Sequence, residues 1–347
     1  MALPIGNSAL DAVIQPRLAI VEERLRDAVT QSDALADATS RHLVDAGGKR
    51  LRPMLALLTA QLGDGTRPEV VEAAVVAELT HLATLYHDDV MDSAPTRRGA
   101  PAAHEVWGNS VAILTGDLLF ARASRVVAGL GPDAVRIQAI TFERLCIGQL
   151  HETVGPVEGE DPTAHYIQVL ADKTGSLIAT SARFGAMFAG CESAIVEQVT
   201  NYGELAGIAF QLADDVIDVR SDAETTGKTP GTDLRERVPT MPVLLLRARV
   251  ATGADAPAEL GGERIPLDAA TLESDRALLA EIDGDLTADA ALAAVVEKLS
   301  VHPVVDQTAV LARSWSDQAI ESIANLPEGD VKSALVTFAQ ALVARAA

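Results

Sequence analysis

The sequence predicts an almost entirely α-helical protein. Apolar residues recur at helical spacing along most of the chain, as in residues 70–85 and 176–189, and alternating β-branched runs between paired turn signals are missing. Composition agrees: of the 347 residues 48% are apolar and 22% charged, enough to bury a sizeable core, and aromatics supply only 3%, so Ala, Leu and Val must fill it. Disorder, collagen-like repeats and disulfide scaffolds are thereby excluded. Length alone leaves one or two domains open.

Taken in order, the first turn signal is Gly47-Gly48, which opens a basic stretch, Lys49-Arg50-Leu51-Arg52, before Pro53. Gly63-Asp64-Gly65 then separates this region from the long apolar run 70–85, which leads into Asp88-Asp89-Val90-Met91-Asp92. Arg97-Arg98-Gly99 follows at once, and Gly131-Pro132 and Gly155-Pro156 mark further boundaries. Lys173-Thr174 precedes the apolar stretch 176–189, and another apolar run ends in Asp214-Asp215-Val216-Ile217-Asp218. The pattern amounts to ten or more helices joined by short loops, with no repeat of fixed period. Residues 251–300 depart from it: 11 Asp or Glu stand against 3 Lys or Arg, a net of −8, with Gly261-Gly262 among them. Such a segment reads as a solvated acidic insertion.

The formal charge of −21 repels phosphate backbones and anionic lipid surfaces, which argues against nucleic acid or a membrane surface as partner. Cys146 and Cys191 are the only cysteines and make no CxxC pair, which fits a reducing compartment. The first residues lack a basic region ahead of an apolar run, and no stretch is long and apolar enough for a transmembrane segment, so the expected location is cytoplasmic.

The two Asp clusters carry the chemistry. On a helix, residues four apart lie about 40° apart around the axis, so Asp88 and Asp92 share a face, as do Asp214 and Asp218. Like charges placed this way repel, and neither cluster contains a Lys or Arg. Hard oxygen ligands in this number suit Mg²⁺, which binds through one or two carboxylates plus substrate phosphates. One cluster could equally be a solvated helix end; two matching DDxxD clusters, each led by an apolar helix, could not easily be. A metal that grips an anion predicts cations nearby, and Lys49, Arg50, Arg52, Arg97, Arg98, Lys173 and Lys228 stand close to the clusters in a chain otherwise poor in them.

With these residues in view, the chain resembles the trans-isoprenyl diphosphate synthases, the head-to-tail prenyltransferases. The likeness runs from about Gly47 to Arg247 and rests on GGKRLRP, HLATLYHDDVMDSAPTRRG, the Lys173-Thr174 pair and GIAFQLADDVIDVRSDAETTGKTPGTDL in the family's usual order. It implies one polyprenyl synthase domain over residues 1–347, an all-α, isoprenoid-synthase-like helical bundle around a central substrate cavity, and a homodimer. It also implies Mg²⁺, three ions per active site, held by Asp88, Asp92 and Asp214, with Asp89, Asp215 and Asp218 in support. Arg97, Lys173 and Lys228 would hold the allylic diphosphate; Lys49, Arg52, His81 and Arg98 would hold isopentenyl diphosphate. Thr174 and Gln211 would sit by the developing carbocation and complete a catalytic set with Lys173 and Lys228, whereas His87 is expected only to pack.

The reaction so implied is ionisation of an allylic diphosphate, attack on the cation by isopentenyl diphosphate, and loss of a proton. A class I terpene cyclase would carry an Asn/Ser/Glu triad in place of the second Asp cluster, and a non-catalytic partner subunit would be expected to have lost Asp or Lys residues. Product length is expected to depend on Ala83 and Thr84, five and four residues before Asp88, and on Thr80 one turn further down. All three are small, which predicts a long-chain product of the kind used for quinone side chains; the alternative is a geranylgeranyl or farnesyl diphosphate synthase, should Phe120 or Met187 close the space from another helix. After the second cluster the family's Gly-Lys is replaced by Arg237-Val238-Pro239, and the chain ends without the basic tail of farnesyl-type members.

Overall fold

A computed structural model describes residues 6–220, 230–255 and 265–344. It is a stack of helices: α1 (Ser8–Val29), α2 (Ala34–Asp45), α3 (Leu51–Thr59), α4 (Pro68–Met91), α5 (Ala103–Trp107), α6 (Asn109–Ala128), α7 (Pro132–Val154), α8 (Pro162–Leu170), α9 (Ser176–Phe188), α10 (Ser193–Arg220), α11 (Thr232–Arg235), α12 (Met241–Thr252), α13 (Ala269–Ile282), α14 (Asp289–Ser300), α15 (Pro303–Ser322) and α16 (Asp330–Val343). The starts are written in the sequence. Proline opens α4, α7, α8 and α15, where its missing N–H costs nothing. The side chains of Asn7, Asp33, Asp161 and Asp268 accept hydrogen bonds from the first turns of α1, α2, α8 and α13.

Two cores share α10 as their common wall. The first gathers residues from α1 to α6, α9 and α16 around Leu55, Leu79, Tyr86 and Phe338. The second packs the C-terminal half of α10 (Leu212, Val216) against α8, α12, α13, α14 and α15. Residues 251–300, which charge counting marks as a solvated insertion, supply Leu278, Ile282, Leu292, Val295 and Leu299 to this second core. Of the acids on these two amphipathic helices, Glu273, Glu281, Asp289 and Glu297 are exposed on the outer faces, whereas Asp275 is buried. A buried cluster pins the segment's ends: the Arg249 Nε donates to Asp275 at 2.9 Å, its guanidinium also pairs with Asp255, and His302 Nε2 lies 3.0 Å from the other Asp275 oxygen.

The only sheet among the described residues is a hairpin, β1 (Thr96–Arg97) with β2 (Ala100–Pro101). Its two-residue turn places both Arg98 (φ 54°) and Gly99 (φ 78°) in the left-handed region, as the twist of a tight hairpin requires. Strands two residues long leave no periodic trace in a sequence. The hairpin matters because it delivers two arginines to the site.

Candidate active site

A cavity of about 1490 Å³ opens between α4, α6, α7, α9 and α10. It brings together Lys49, Arg52, His81, Thr84, Asp88, Arg97, Arg98, Lys173, Thr174, Gln211 and Asp214, eleven side chains drawn from five regions of the sequence. Lys228 lies outside the described residues.

Helix geometry divides each Asp cluster. Consecutive residues are turned by about 100°, so Asp88 faces the cavity while Asp89 turns inward, fully buried, where it accepts from Arg97 Nε at 2.6 Å. Asp92 stands one turn above Asp88 as the C-terminal cap of α4, and its N–H donates to the Asp88 carbonyl at 2.8 Å. Across the cavity Asp214 lines the wall, whereas Asp215 points into the second core. Asp215 accepts from the Tyr166 hydroxyl at 3.1 and 3.0 Å and from the Met241 N–H at 3.2 Å, joining α10 to α8 and to the start of α12. Asp218 accepts from the Asp233 N–H at 3.4 Å and so fastens α11. Asp215, expected from the sequence to support the metal, thereby anchors the helix that carries Asp214.

Electrostatics mark Asp88 and Asp92 as short of positive charge. Burial pushes the Asp88 carboxyl up to about 6, with Asp92 adding to the rise and Lys173 and Arg97 opposing it. Burial raises Asp92 as well. The carboxylates fit a hard divalent cation: Asp88 lines one wall of the cavity and Asp214 the other, Asp92 caps the helix one turn beyond Asp88 without lining the cavity itself, and Asp89 Oδ2 is buried with no hydrogen-bond partner. Among the described residues no three acidic, His or Cys side chains converge on one point, so the remaining coordination positions would fall to water and substrate oxygens.

The cations are held by backbone geometry. Lys173 and Thr174 sit on a single π-helical turn, residues Ala171–Gly175, between α8 and α9. Close approach on both sides fixes it: a Cβ on Gly148 of α7 would come within 2.7 Å of the Lys173 nitrogen, and one on Gly207 of α10 within 2.6 Å of the Gly175 Cα. Thr174 Oγ1 donates to Gln211 Oε1 at 3.2 Å. Lys173 Nζ pairs with Glu152; burial works against its charge, yet Glu152 and Asp88 together hold its pKa above the usual lysine value. Opposite, Arg98 donates to the Gly47 and Leu43 carbonyls, while burial lowers Arg52 to about 10. Burial, and after it Arg52, Arg98 and Arg97, push His81 well below its usual range, so its imidazole is neutral. A neutral histidine offers a phosphate oxygen one N–H.

The structure also places residues that motif reading passes over. Glu152 is one, although its spacing of three from cavity-lining Gln149 on α7 was a usable signal. Arg50, counted in the sequence among the cations near the clusters, has a different part: nine-tenths buried in the left-handed region (φ 48°), it is fixed by ion pairs to Glu22 and to Glu78, the latter at 2.8 Å, and so holds the Gly47–Arg52 turn in shape. The chain-length set divides. Thr84 lines the cavity, but Ala83 is fully buried against α6, where a Cβ on Gly116 would lie 3.1 Å from its carbonyl oxygen and 2.3 Å from His87 Nε2. Thr80 is also buried, with Gln138 Nε2 at 3.5 Å. Two of the three residues expected to meet the growing tail therefore face other helices.

The sequence profile of the polyprenyl synthetase family matches residues 33–256. A nonaprenyl diphosphate synthase of Mycobacterium tuberculosis is 41% identical over 344 residues, 98% of this chain and 96% of that protein. Among solved structures, a polyprenyl synthase from Caulobacter crescentus, complexed with calcium and isoprenyl diphosphate, superposes with a TM-score of 0.86 at 30% identity over 100% of this chain and 99% of that one. A geranylgeranyl pyrophosphate synthase from Corynebacterium glutamicum, also complexed with calcium and isoprenyl diphosphate, gives 0.79 at 40% identity over 98% of both. Since these likenesses run nearly end to end and the same fold returns with them, the chain belongs to the polyprenyl synthetase family and is a prenyltransferase.

Proposed function

We propose that the protein condenses isopentenyl diphosphate with an allylic diphosphate, using Mg²⁺, to make a long-chain trans-polyprenyl diphosphate. The observation that supports this most directly is the pairing of Asp88 with Asp214 across one cavity that also holds Arg97, Lys173, Lys49 and Arg52. Bound Mg²⁺ would supply Lewis-acid neutralisation of the leaving diphosphate, with Asp88, Asp92 and Asp214 as its protein ligands. Lys173 and Arg97 add fixed positive charge where that diphosphate departs. Lys49, Arg52, Arg98 and neutral His81 hold the second diphosphate, so its double bond lies beside the first substrate. The Thr174–Gln211 hydrogen bond aims two oxygen dipoles at the space between them. Leu145, Leu177 and Phe210 line the rest and keep water from the cation.

Long-chain synthesis is supported by Thr84, a small residue on the cavity wall, and by relatives such as the nonaprenyl synthase. A homodimer is supported by the apolar side chains that α6 and α7 expose, among them Ile113, Leu114, Leu150 and Val154. Ile113 and Leu150 also line the cavity, so a second copy on this face would close its side. No helix among the described residues is long and apolar enough to cross a membrane, in keeping with a cytoplasmic enzyme. The test is incubation of the purified chain with Mg²⁺, labelled isopentenyl diphosphate and a series of allylic primers. The reading requires primer-dependent label in a prenyl product, abolished by EDTA. No product with any primer refutes it.

A further inference from the structure

We propose that Glu22 of α1, a helix that precedes the whole Gly47–Arg247 stretch carrying the motifs, is a positioning residue for the isopentenyl diphosphate site. The inference rests on the condensing activity proposed above, and concerns how this chain holds the cations that grip that one substrate.

The loop that carries Lys49 and leads to Arg52 is built against backbone preference. Gly47 (φ 80°), Gly48 (φ 142°) and Arg50 (φ 48°) all stand at positive φ, which the glycines adopt freely and an arginine does not. Contacts of its side chain must therefore hold Arg50 there. A guanidinium has five N–H groups, and here each finds an acceptor. Nε and Nη2 fork onto the two Glu22 oxygens, the second bond at 3.2 Å. Nη1 donates to Glu78 at 2.8 Å and to the Gly47 carbonyl at 3.3 Å, and Nη2 also donates to the Val44 carbonyl at 3.1 Å. The two carbonyl bonds fold the side chain back onto its own loop, while the carboxylates fix it from outside. Lys49 and Arg52, on either side of Arg50, both line the cavity, so a turn of the Arg50 backbone would swing them away from a bound diphosphate.

Glu78 lines the cavity itself, but Glu22 does not, so Glu22 acts on the substrate only through Arg50. Nor does α1 depend on Glu22 for its place. Ile14, Val21, Leu25 and Val29 are buried in the first core, Arg17 donates to the Thr66 and Arg67 carbonyls at 3.3 and 3.0 Å, and Arg24 Nε donates to Glu72 at 2.8 Å. Without the Glu22 charge, buried Arg50 keeps a single carboxylate, Glu78, which Arg98 also approaches at 3.7 Å. The disturbance then falls on Lys49, Arg52 and Arg98, the set that holds the second diphosphate. Lys173, on its π turn between α8 and α9, and Arg97, bound to Asp89, keep their own supports.

The test uses the full chain with Mg²⁺, labelled isopentenyl diphosphate and an accepted allylic primer, with KM measured for each substrate in turn. Glu22→Gln keeps the shape, removes the charge and sets an amide donor against the Arg50 fork. Its expected effect is a rise of about tenfold in KM for isopentenyl diphosphate, with KM for the primer at the parental value and kcat within about threefold. Glu72→Gln, which breaks a surface link between α1 and α4 without touching Arg50, should leave both KM values unchanged. If Glu22→Gln loses its helical signal, Glu22→Asp carries the test, since it keeps the charge but is too short for both bonds; a smaller rise confined to the same KM is expected. A parent that condenses, with a folded Glu22 variant that keeps parental KM for isopentenyl diphosphate or raises both KM values alike, overturns the positioning role alone. A parent that condenses no primer overturns the activity and this role with it.

Discussion

Replacing Asp88 by Asn should destroy activity and yet make the metal-free protein more stable. In the folded chain burial lifts this carboxyl from 3.8 to about 6. A group whose folded pKa is raised binds its proton more tightly in the native state, so the stability it contributes is complete below about 3.8 and is lost as pH rises through about 6. At pH 7.5 the ionised carboxylate is therefore a net cost to the empty site. A shift of about two units corresponds to roughly 3 kcal/mol, and water at the cavity mouth reduces it to about 1–3 kcal/mol. Asn keeps the shape and removes the charge. Melting of the variant without metal at pH 7.5 should lie roughly 2–6 °C above the parent, and the gap should shrink as pH falls toward 4. Condensation activity should drop by about a hundredfold or more, since the lost carboxylate is a principal ligand where leaving-group charge develops. Calorimetry across pH, paired with a turnover assay, reads both quantities. A variant that melts below the parent at pH 7.5 without metal would show that the Asp88 charge is satisfied within the fold, and the reasoning fails.

Three further outcomes follow from the geometry. His81→Gln, which keeps a neutral N–H donor, should retain most activity, whereas His81→Ala should raise KM for isopentenyl diphosphate about tenfold; equal losses in both would mean that the ring acts by packing. Gly207→Val should push the π turn away from Gln211 and cost at least a hundredfold in kcat, and circular dichroism should show the helices intact; near-parental kcat would show that the close approach is dispensable. Asp275→Ala strips the buried Arg249 and His302 of a shared partner and should destabilise the protein by about 3–5 kcal/mol; a loss under about 1 kcal/mol would show that water enters this cluster.

Much of this architecture is legible in the sequence because helices announce themselves through apolar spacing, prolines and caps, and α4, α7, α9 and α10 fall where those signals place them. The Asp clusters are legible too, but only in part. Spacing by four groups Asp88 with Asp92, yet it says nothing of what the intervening faces touch, so the burial of Asp89 on Arg97 and of Asp215 on Tyr166 emerges only from the packing. Charge counting misleads over residues 251–300 because a helix can carry many acids on one side and still bury Leu292 and Leu299 on the other. Ala83 and Thr84 are adjacent letters on neighbouring faces, and which one meets the cavity depends on where α6 lies. The π turn is hidden for a similar reason, since nothing in Ala171–Gly175 itself requires it. Gly148 and Gly207, distant in sequence, let the neighbouring helices press close enough to hold it.

The back-to-back placement of Asp214 and Asp215 makes α10 a lever with one arm gripped. Its 28 residues span roughly 42 Å, and the carboxylate beside Asp214 is clamped to two other helices by Tyr166 and the Met241 N–H. Asp214 therefore cannot advance toward a ligand without dragging α8 and α12 along, a displacement that would unseat the second core. This side of the cavity behaves as an anvil. Adjustment to ligands of different bulk falls to the facing side, where Asp92 ends its helix and the Arg97–Arg98 hairpin hangs from a turn of two residues.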